Sequence, residues 1–529
     1  MTFPPARPSR RRSTGSRRLW GSLAGTAGAL AAAMVLASCT LLPGQEQAAP
    51  DPTVATADPS IVASAPEGLD EFYAQEVSWK PCETDYLCAD IKVPMDYATP
   101  DAGSIAISAL RIPATGDKQG TLLVNPGGPG ASGYDFVVDA GGYYFSDEMR
   151  SKFDILGFDP RGVKRSAPVT CMTDKERDEA RAKTYELGTD DGLAAARADN
   201  QAAAAKCVEQ TGAVLGHIDT NSAAKDMDIL RAVSNDAKLN YLGYSYGTFL
   251  GSIYAEQFPD NVGRMVLDGA LDPALSNEEV TYGQAVAFEK TLRTYVESCM
   301  GGPDCPFRGN VDEAVAQIQA LINSVNEQPR SAADGRKVNA TMFVNGIITP
   351  LYSNANWPML SAAFTEAIKG NVTPMLDLSD LGADRDRNGT YGSNSALAFT
   401  AINCLDYPME TDTAAMRAEE QRLRAASPTF GSFLAYGGTT CMDWPHKNVR
   451  TPAPVEYSGE SPIVVIGTTG DPATPVEWAA SLDKQLGNAA LVTWQGEGHT
   501  AYGRSNRCVT DAVDQYFLHG TTPADNTIC

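Results

Sequence analysis

Apolar residues recur along this chain in short, mainly apolar blocks, separated by longer stretches in which they return every three or four positions. The blocks lie at 120–125, 153–158, 239–242, 262–267, 462–466 and 490–494. Each is too short for a helix, and apolarity on successive positions implies burial of both strand faces. The pattern therefore predicts a mainly parallel sheet with helices on either side. Between the blocks, 223–233 carries Met227, Ile229, Leu230 and Val233 at helical spacing, and 248–257 reads as a second helix. From 275 to 400 the alternation of strand and helix stops, and the pattern is helical, as at 311–325. The fold class expected is α/β: one sheet domain in two parts, 71–274 and 401–529, with a helical cap at 275–400 inserted between them.

The N-terminal end follows a different logic. Arg7, Arg10, Arg11, Arg12, Arg17 and Arg18 precede the uncharged run 19–37, which closes in Leu36-Ala37-Ser38-Cys39. A basic start, an apolar middle and small residues before a cysteine read as a bacterial lipoprotein signal over 1–38, with Cys39 lipidated. An uncleaved anchor helix and an ordinary secretory signal are the alternatives, and Arg17-Arg18 admits twin-arginine export. Residues 39–70 are rich in Pro, Ala, Thr and acid, so a flexible tether is expected, with folded structure starting near Phe72.

Charge and cysteines sharpen the picture. The formal charge of −23 becomes −29 once the six arginines of the signal are removed. A surface this acidic repels phosphate backbones, which argues against nucleic-acid partners. Apart from Cys39, ten cysteines remain, an even number suited to an oxidising compartment. The simplest pairing joins sequence neighbours: Cys82 with Cys88, Cys171 with Cys207, Cys299 with Cys305, Cys404 with Cys441, and Cys508 with Cys529. Metal binding is the rival, but there is no Cys-x-x-Cys and there are only four histidines. No metal or cofactor is expected.

Chemistry concentrates where the strands end. Gly243-Tyr-Ser245-Tyr-Gly247 follows the block at 239–242 and precedes a helical stretch. A serine on such a turn projects its hydroxyl into a cleft, and the flanking glycines remove clashes. The hydroxyl needs a base. Of His217, His446, His499 and His519, only His499 sits in a glycine-rich loop directly after a strand, Gly496-Glu-Gly498-His499. Asp471, 28 residues earlier and also at a strand end, supplies the acid, giving the chain order Ser, Asp, His of the α/β-hydrolase fold. Asp268, at another strand end, is the competing acid. The oxyanion hole is assigned to the N–H groups of Tyr246 and of Gly128, the latter preferred to Gly127, in Asn125-Pro-Gly127-Gly128-Pro129-Gly130. The same loop lacks the Gly-Lys-Ser/Thr ending of a phosphate-binding loop.

Taken with Asp159-Pro-Arg-Gly162 and Gly470-Asp471-Pro-Ala-Thr-Pro475, these motifs resemble the exported branch of the proline-iminopeptidase-like α/β-hydrolases, the tripeptidyl aminopeptidases and their relatives, over roughly 75–529. The resemblance implies a serine exopeptidase that releases di- or tripeptides from substrates with a free amino terminus. It also suggests Asp406, in Asn403-Cys404-Leu405-Asp406, as the anchor for the substrate ammonium, although a surface carboxylate beside a disulfide explains that residue equally well. Thr474 is expected to hydrogen-bond within the Asp471 loop or simply to form its turn. A carboxylesterase or lipase, another amidase, and a catalytically silent binding lipoprotein remain as alternatives, since a triad does not choose its acyl group. The partners expected are a peptide substrate and, through the lipid anchor alone, the membrane.

Overall fold

A computed structural model describes residues 52–83 and 86–529. The signal sequence, Cys39 and the first part of the expected tether lie outside the described residues. The strands are β1 (Thr53–Ala55), β2 (Val77–Cys82), β3 (Tyr86–Pro94), β4 (Ser104–Ile112), β5 (Gly120–Asn125), β6 (Phe153–Phe158), β7 (Leu239–Tyr244), β8 (Val262–Asp268), β9 (Arg330–Ser331), β10 (Lys337–Val338), β11 (Ile463–Gly470), β12 (Ala489–Glu497) and β13 (Thr527–Ile528). Eleven of them form one sheet in the order β1-β2-β3-β4-β6-β5-β7-β8-β11-β12-β13. From β6 to β13 every pairing is parallel, and β1 to β4 join as antiparallel neighbours. Strands β5 and β6 are buried at every residue, as strands covered on both faces must be. This is the α/β-hydrolase fold.

Parallel connection brings the ends of β5, β7, β8, β11 and β12 to one edge, with Asn125 opposite Gly243 and Tyr244 opposite Asp268. The loops after these strands therefore share one side of the sheet, where catalytic groups gather.

The chain expected to be a tether is ordered from residue 52. β1 pairs with β2 through Val54 and Ser78, Ile61 and Leu69 are buried in the sheet's core, and Asn235 holds the Asp58 N–H and the Thr56 carbonyl. Two apolar anchors and a sheet edge thus order a segment whose composition reads as linker.

The inserted helices Asn277–Met300, Val311–Glu327, Ala340–Leu351, Trp357–Ile368 and Thr373–Gly382 enclose an apolar cluster of their own. The expected boundary at 400 falls inside the helix Ser395–Asp406. Ala398, Ala401, Ile402 and Leu405 of that helix pack into the sheet's core, whereas Phe430 packs into the cap. The two units therefore interleave. Disulfides join Cys82–Cys88, Cys171–Cys207, Cys299–Cys305, Cys404–Cys441 and Cys508–Cys529. Among the described residues no helix is long and apolar enough to cross a membrane.

Candidate active site

Ser245 stands between β7 and the helix Tyr246–Gln257 with φ 56° and ψ −124°, a backbone conformation that L side chains rarely adopt. The turn is so tight that a Cβ on Gly243 would lie 2.3 Å from the Gly247 carbonyl oxygen, and one on Gly247 would lie 2.7 Å from that of Asn125. Larger residues at these positions would break the elbow. The Ser245 N–H donates to the Asp268 carbonyl at 2.9 Å, tying the Ser245 turn to the end of the next strand.

His499 arrives on the loop after β12, behind Gly498 (φ 108°), whose N–H donates to the Gly470 carbonyl at 3.0 Å. Its Nδ1 lies 2.9 Å from each carboxylate oxygen of Asp471. The carboxylate also accepts the N–H groups of Ala473 (2.8 Å), Thr474 (2.9 Å) and Thr500 (3.1 Å). Burial by itself would raise the Asp471 carboxyl. The adjacent imidazole and these donors outweigh it and hold the group below the usual carboxylate range. Thr474 Oγ1 donates to Asp471 at 2.9 Å and lies 3.2 Å from His499 Nδ1, so this hydroxyl braces both members of the pair. With Nδ1 turned to the acid, Nε2 is the free end. It is buried without a hydrogen-bond partner, and a Cβ on Gly269, the residue after Asp268, would lie 3.3 Å from the imidazole Cε1. The Ser245 hydroxyl makes no hydrogen bond to Nε2 in this resting arrangement, a contact that catalytic sites commonly tighten only around substrate.

Asp268, the competing acid, does not touch the imidazole. Its fully buried carboxylate accepts the N–H groups of Ala501 and Tyr502 at 2.7–3.0 Å and so shapes the loop that follows His499. Burial pushes this carboxyl up to about 7, against the pull of those donors. A carboxyl raised on folding binds a proton that the unfolded chain has released, so its stabilising contribution is complete below the unfolded value of 3.8 and is lost as pH rises towards 7. Urea midpoints should therefore fall between pH 5 and 7 in the wild type, and Asp268→Asn should flatten that part of the profile. An unchanged slope would contradict the assignment.

The glycine loop lies directly on the elbow. A Cβ on Gly127 would meet Ser245 Cβ at 2.8 Å and the Tyr246 nitrogen at 3.2 Å. The Gly127 N–H is already given to Asn125 Oδ1 at 2.9 Å. Gly128, next along and at φ 111°, carries the N–H with no such commitment, and Tyr246, first in its helix, carries another. This difference between the two glycines favours Gly128 as the oxyanion donor.

Asp406 lies elsewhere than sequence suggested. It is 1% exposed, and its two oxygens accept the Thr220 N–H (2.9 Å) and the Thr220 hydroxyl (2.5 Å). Neither a surface carboxylate nor an open anchor for a substrate ammonium matches that burial, so the anchor assignment is withdrawn. His217 sits 3.8 Å from Asp96, and a Cβ on Gly216 would lie 2.8 Å from His446. His519 ends the helix Arg507–His519. In Asp159-Pro-Arg-Gly162, Arg161 is fully buried and forms a two-pronged pair with Asp226 at 2.7 Å, a structural role for that motif.

Two residues that touch the His499 loop were not legible in the sequence. Tyr352, at the C-terminus of the cap helix Ala340–Leu351, packs edge-on against His499 with ring centroids 5.5 Å apart. Its carbonyl accepts the His499 N–H at 2.9 Å. Arg504 donates to the carbonyls of both Tyr352 and His499. The cap thus braces the His499 loop directly.

Residues 427–529 match the family described as TAP-like protein, and residues 120–349 match the alpha/beta hydrolase fold. The serine protease Hip1 of Mycobacterium tuberculosis is 35% identical over 482 residues, covering 86% of this chain and 91% of that protein. This chain belongs to the TAP-like α/β-hydrolase family. Carboxylesterase B of the same organism is 37% identical over 510 residues, covering 92% of this chain and 96% of the relative. The tripeptidyl aminopeptidase of Streptomyces coelicolor is 29% identical over 470 residues, covering 86% of each. This TAP-like chain is accordingly a serine hydrolase.

Proposed function

We propose that this chain is an exported serine exopeptidase that releases short peptides from free amino termini by acyl transfer at Ser245. Ser245 Oγ attacks the scissile carbonyl as His499 Nε2 accepts its proton. Asp471 fixes the tautomer and stabilises the imidazolium. The N–H groups of Gly128 and Tyr246 receive the negative charge that develops on the carbonyl oxygen. His499 then returns the proton to the leaving amine, and water, activated by the same imidazole, releases the acyl group. The observation that carries this reading is the Asp471–His499 pair, its Nε2 unspent, on the strand ends beside the strained Ser245 turn.

Peptidase chemistry is supported by the names of two relatives, the serine protease Hip1 and the tripeptidyl aminopeptidase. Carboxylesterase B supports a second reading, ester hydrolysis by the same triad. Comparing Ala-Ala-Phe anilides having free and acetylated amino termini with a short-chain nitrophenyl ester separates the two. The exopeptidase reading predicts that acetylation lowers kcat/KM at least about 100-fold, the loss expected when a charge-assisted contact disappears. Equal rates on both anilides would reject exopeptidase action, and turnover of the ester alone would favour the esterase. Export rests on the 1–38 signal, and attachment to the extracytoplasmic face of the membrane on lipidation of Cys39.

A further inference from the structure

The acyl-transfer steps make no use of the buried Asp406, the last residue of the helix Ser395–Asp406. The carboxylate is joined to Thr220, the first residue of the helix Thr220–Val233, which is itself fully buried. The far side of the Thr220 hydroxyl stands 2.5 Å from the hydroxyl of Tyr246. A threonine hydroxyl carries one proton. Because Thr220 gives its proton to Asp406, Tyr246 must donate in turn to Thr220. A line of hydrogen bonds therefore runs from Asp406 through Thr220 to the residue immediately after the nucleophile. The same two regions meet again beside it, where Tyr246 packs on Phe249 and Phe249 stacks on Tyr407 at 6.1 Å and 17°.

The nucleophile's turn needs outside support. Ser245 occupies the N-cap position of its helix without making a side-chain capping bond, and its φ of 56° is unfavourable. A strained turn persists only where its surroundings over-determine it. We propose that Asp406 is a positioning residue: acting through Thr220, it holds the Tyr246 side chain, and with it the Tyr246 N–H, at the oxyanion position. The proposal rests on Ser245 being the nucleophile. Small displacements of a catalytic group are costly to rate, so a loosened Tyr246 would weaken the transition state more than the substrate complex.

Tyr246→Phe removes the hydroxyl while keeping the ring and every backbone N–H. Thr220→Val removes the central link at nearly constant shape, and Thr220→Ser preserves it. Both breaking variants should lower kcat about tenfold or more with KM within about twofold, measured on a peptide anilide and on a nitrophenyl ester. Affinity for a peptidyl trifluoromethyl ketone, whose hemiketal oxygen uses the oxyanion donors, should fall by the same factor, while inhibition by the product peptide stays constant. Thr220→Ser should behave as wild type. A Tyr246→Phe enzyme with wild-type kcat and ketone affinity, whatever its melting temperature, would overturn the proposal and leave the triad standing, provided Ser245→Ala is inactive. An active Ser245→Ala would overturn both.

Discussion

Ser245→Ala is expected to lower kcat by a factor on the order of 10⁶, the scale seen when a serine hydrolase loses its nucleophile. The melting temperature should stay within a few degrees. Both halves of that expectation follow from the same local facts. The Ser245 side chain caps no helix, so its removal leaves no internal group unpaired. The backbone bonds that hold the turn, from the Ser245 N–H to Asp268 and from the Thr248 N–H to the Ser245 carbonyl at 2.8 Å, survive the substitution. A large fall in activity accompanied by unfolding would instead make Ser245 a structural residue. Near-native turnover would remove it from the mechanism.

Asp471→Asn is the second large effect, a loss of about 10⁴-fold in kcat with the fold intact. An asparagine oxygen still accepts from the loop, but its amide donates towards Nδ1 and selects the tautomer that leaves a proton on Nε2. The imidazole then has no lone pair for the serine proton. Asp268→Asn makes the comparison decisive. Its carboxylate faces the Ala501 and Tyr502 N–H groups and not the imidazole, so about tenfold or less is expected from the disturbed loop. A reversed order of these two losses would transfer the acid to the strand end of Asp268.

Much of this arrangement could be read before any coordinates. The mainly apolar runs at 120–125 and 153–158 are fully buried parallel strands, because strands covered on both faces need apolar residues on both. The elbow, the histidine loop and the acid loop are local features, each defined by glycines and a strand end within a few residues. What escaped reading depends on distant partners. β3 alternates buried and exposed residues and carries Asp90 and Lys92, so it shows no apolar block. Residues 53–69 look like linker until Asn235 and the edge of β2 are supplied. Asp406 has the sequence context of a surface acid, but it is buried and its partner Thr220 lies 186 positions away. Tyr352 meets His499 only because the cap folds back over the sheet.

Activation of the Ser245 hydroxyl by the His499 imidazole can be read out by labelling with a fluorophosphonate and mapping the adduct by peptide mass spectrometry. One phosphonyl adduct is expected, on the peptide carrying Ser245, formed orders of magnitude more slowly in His499→Ala. An adduct on another residue, or one formed as fast without the imidazole, would contradict it.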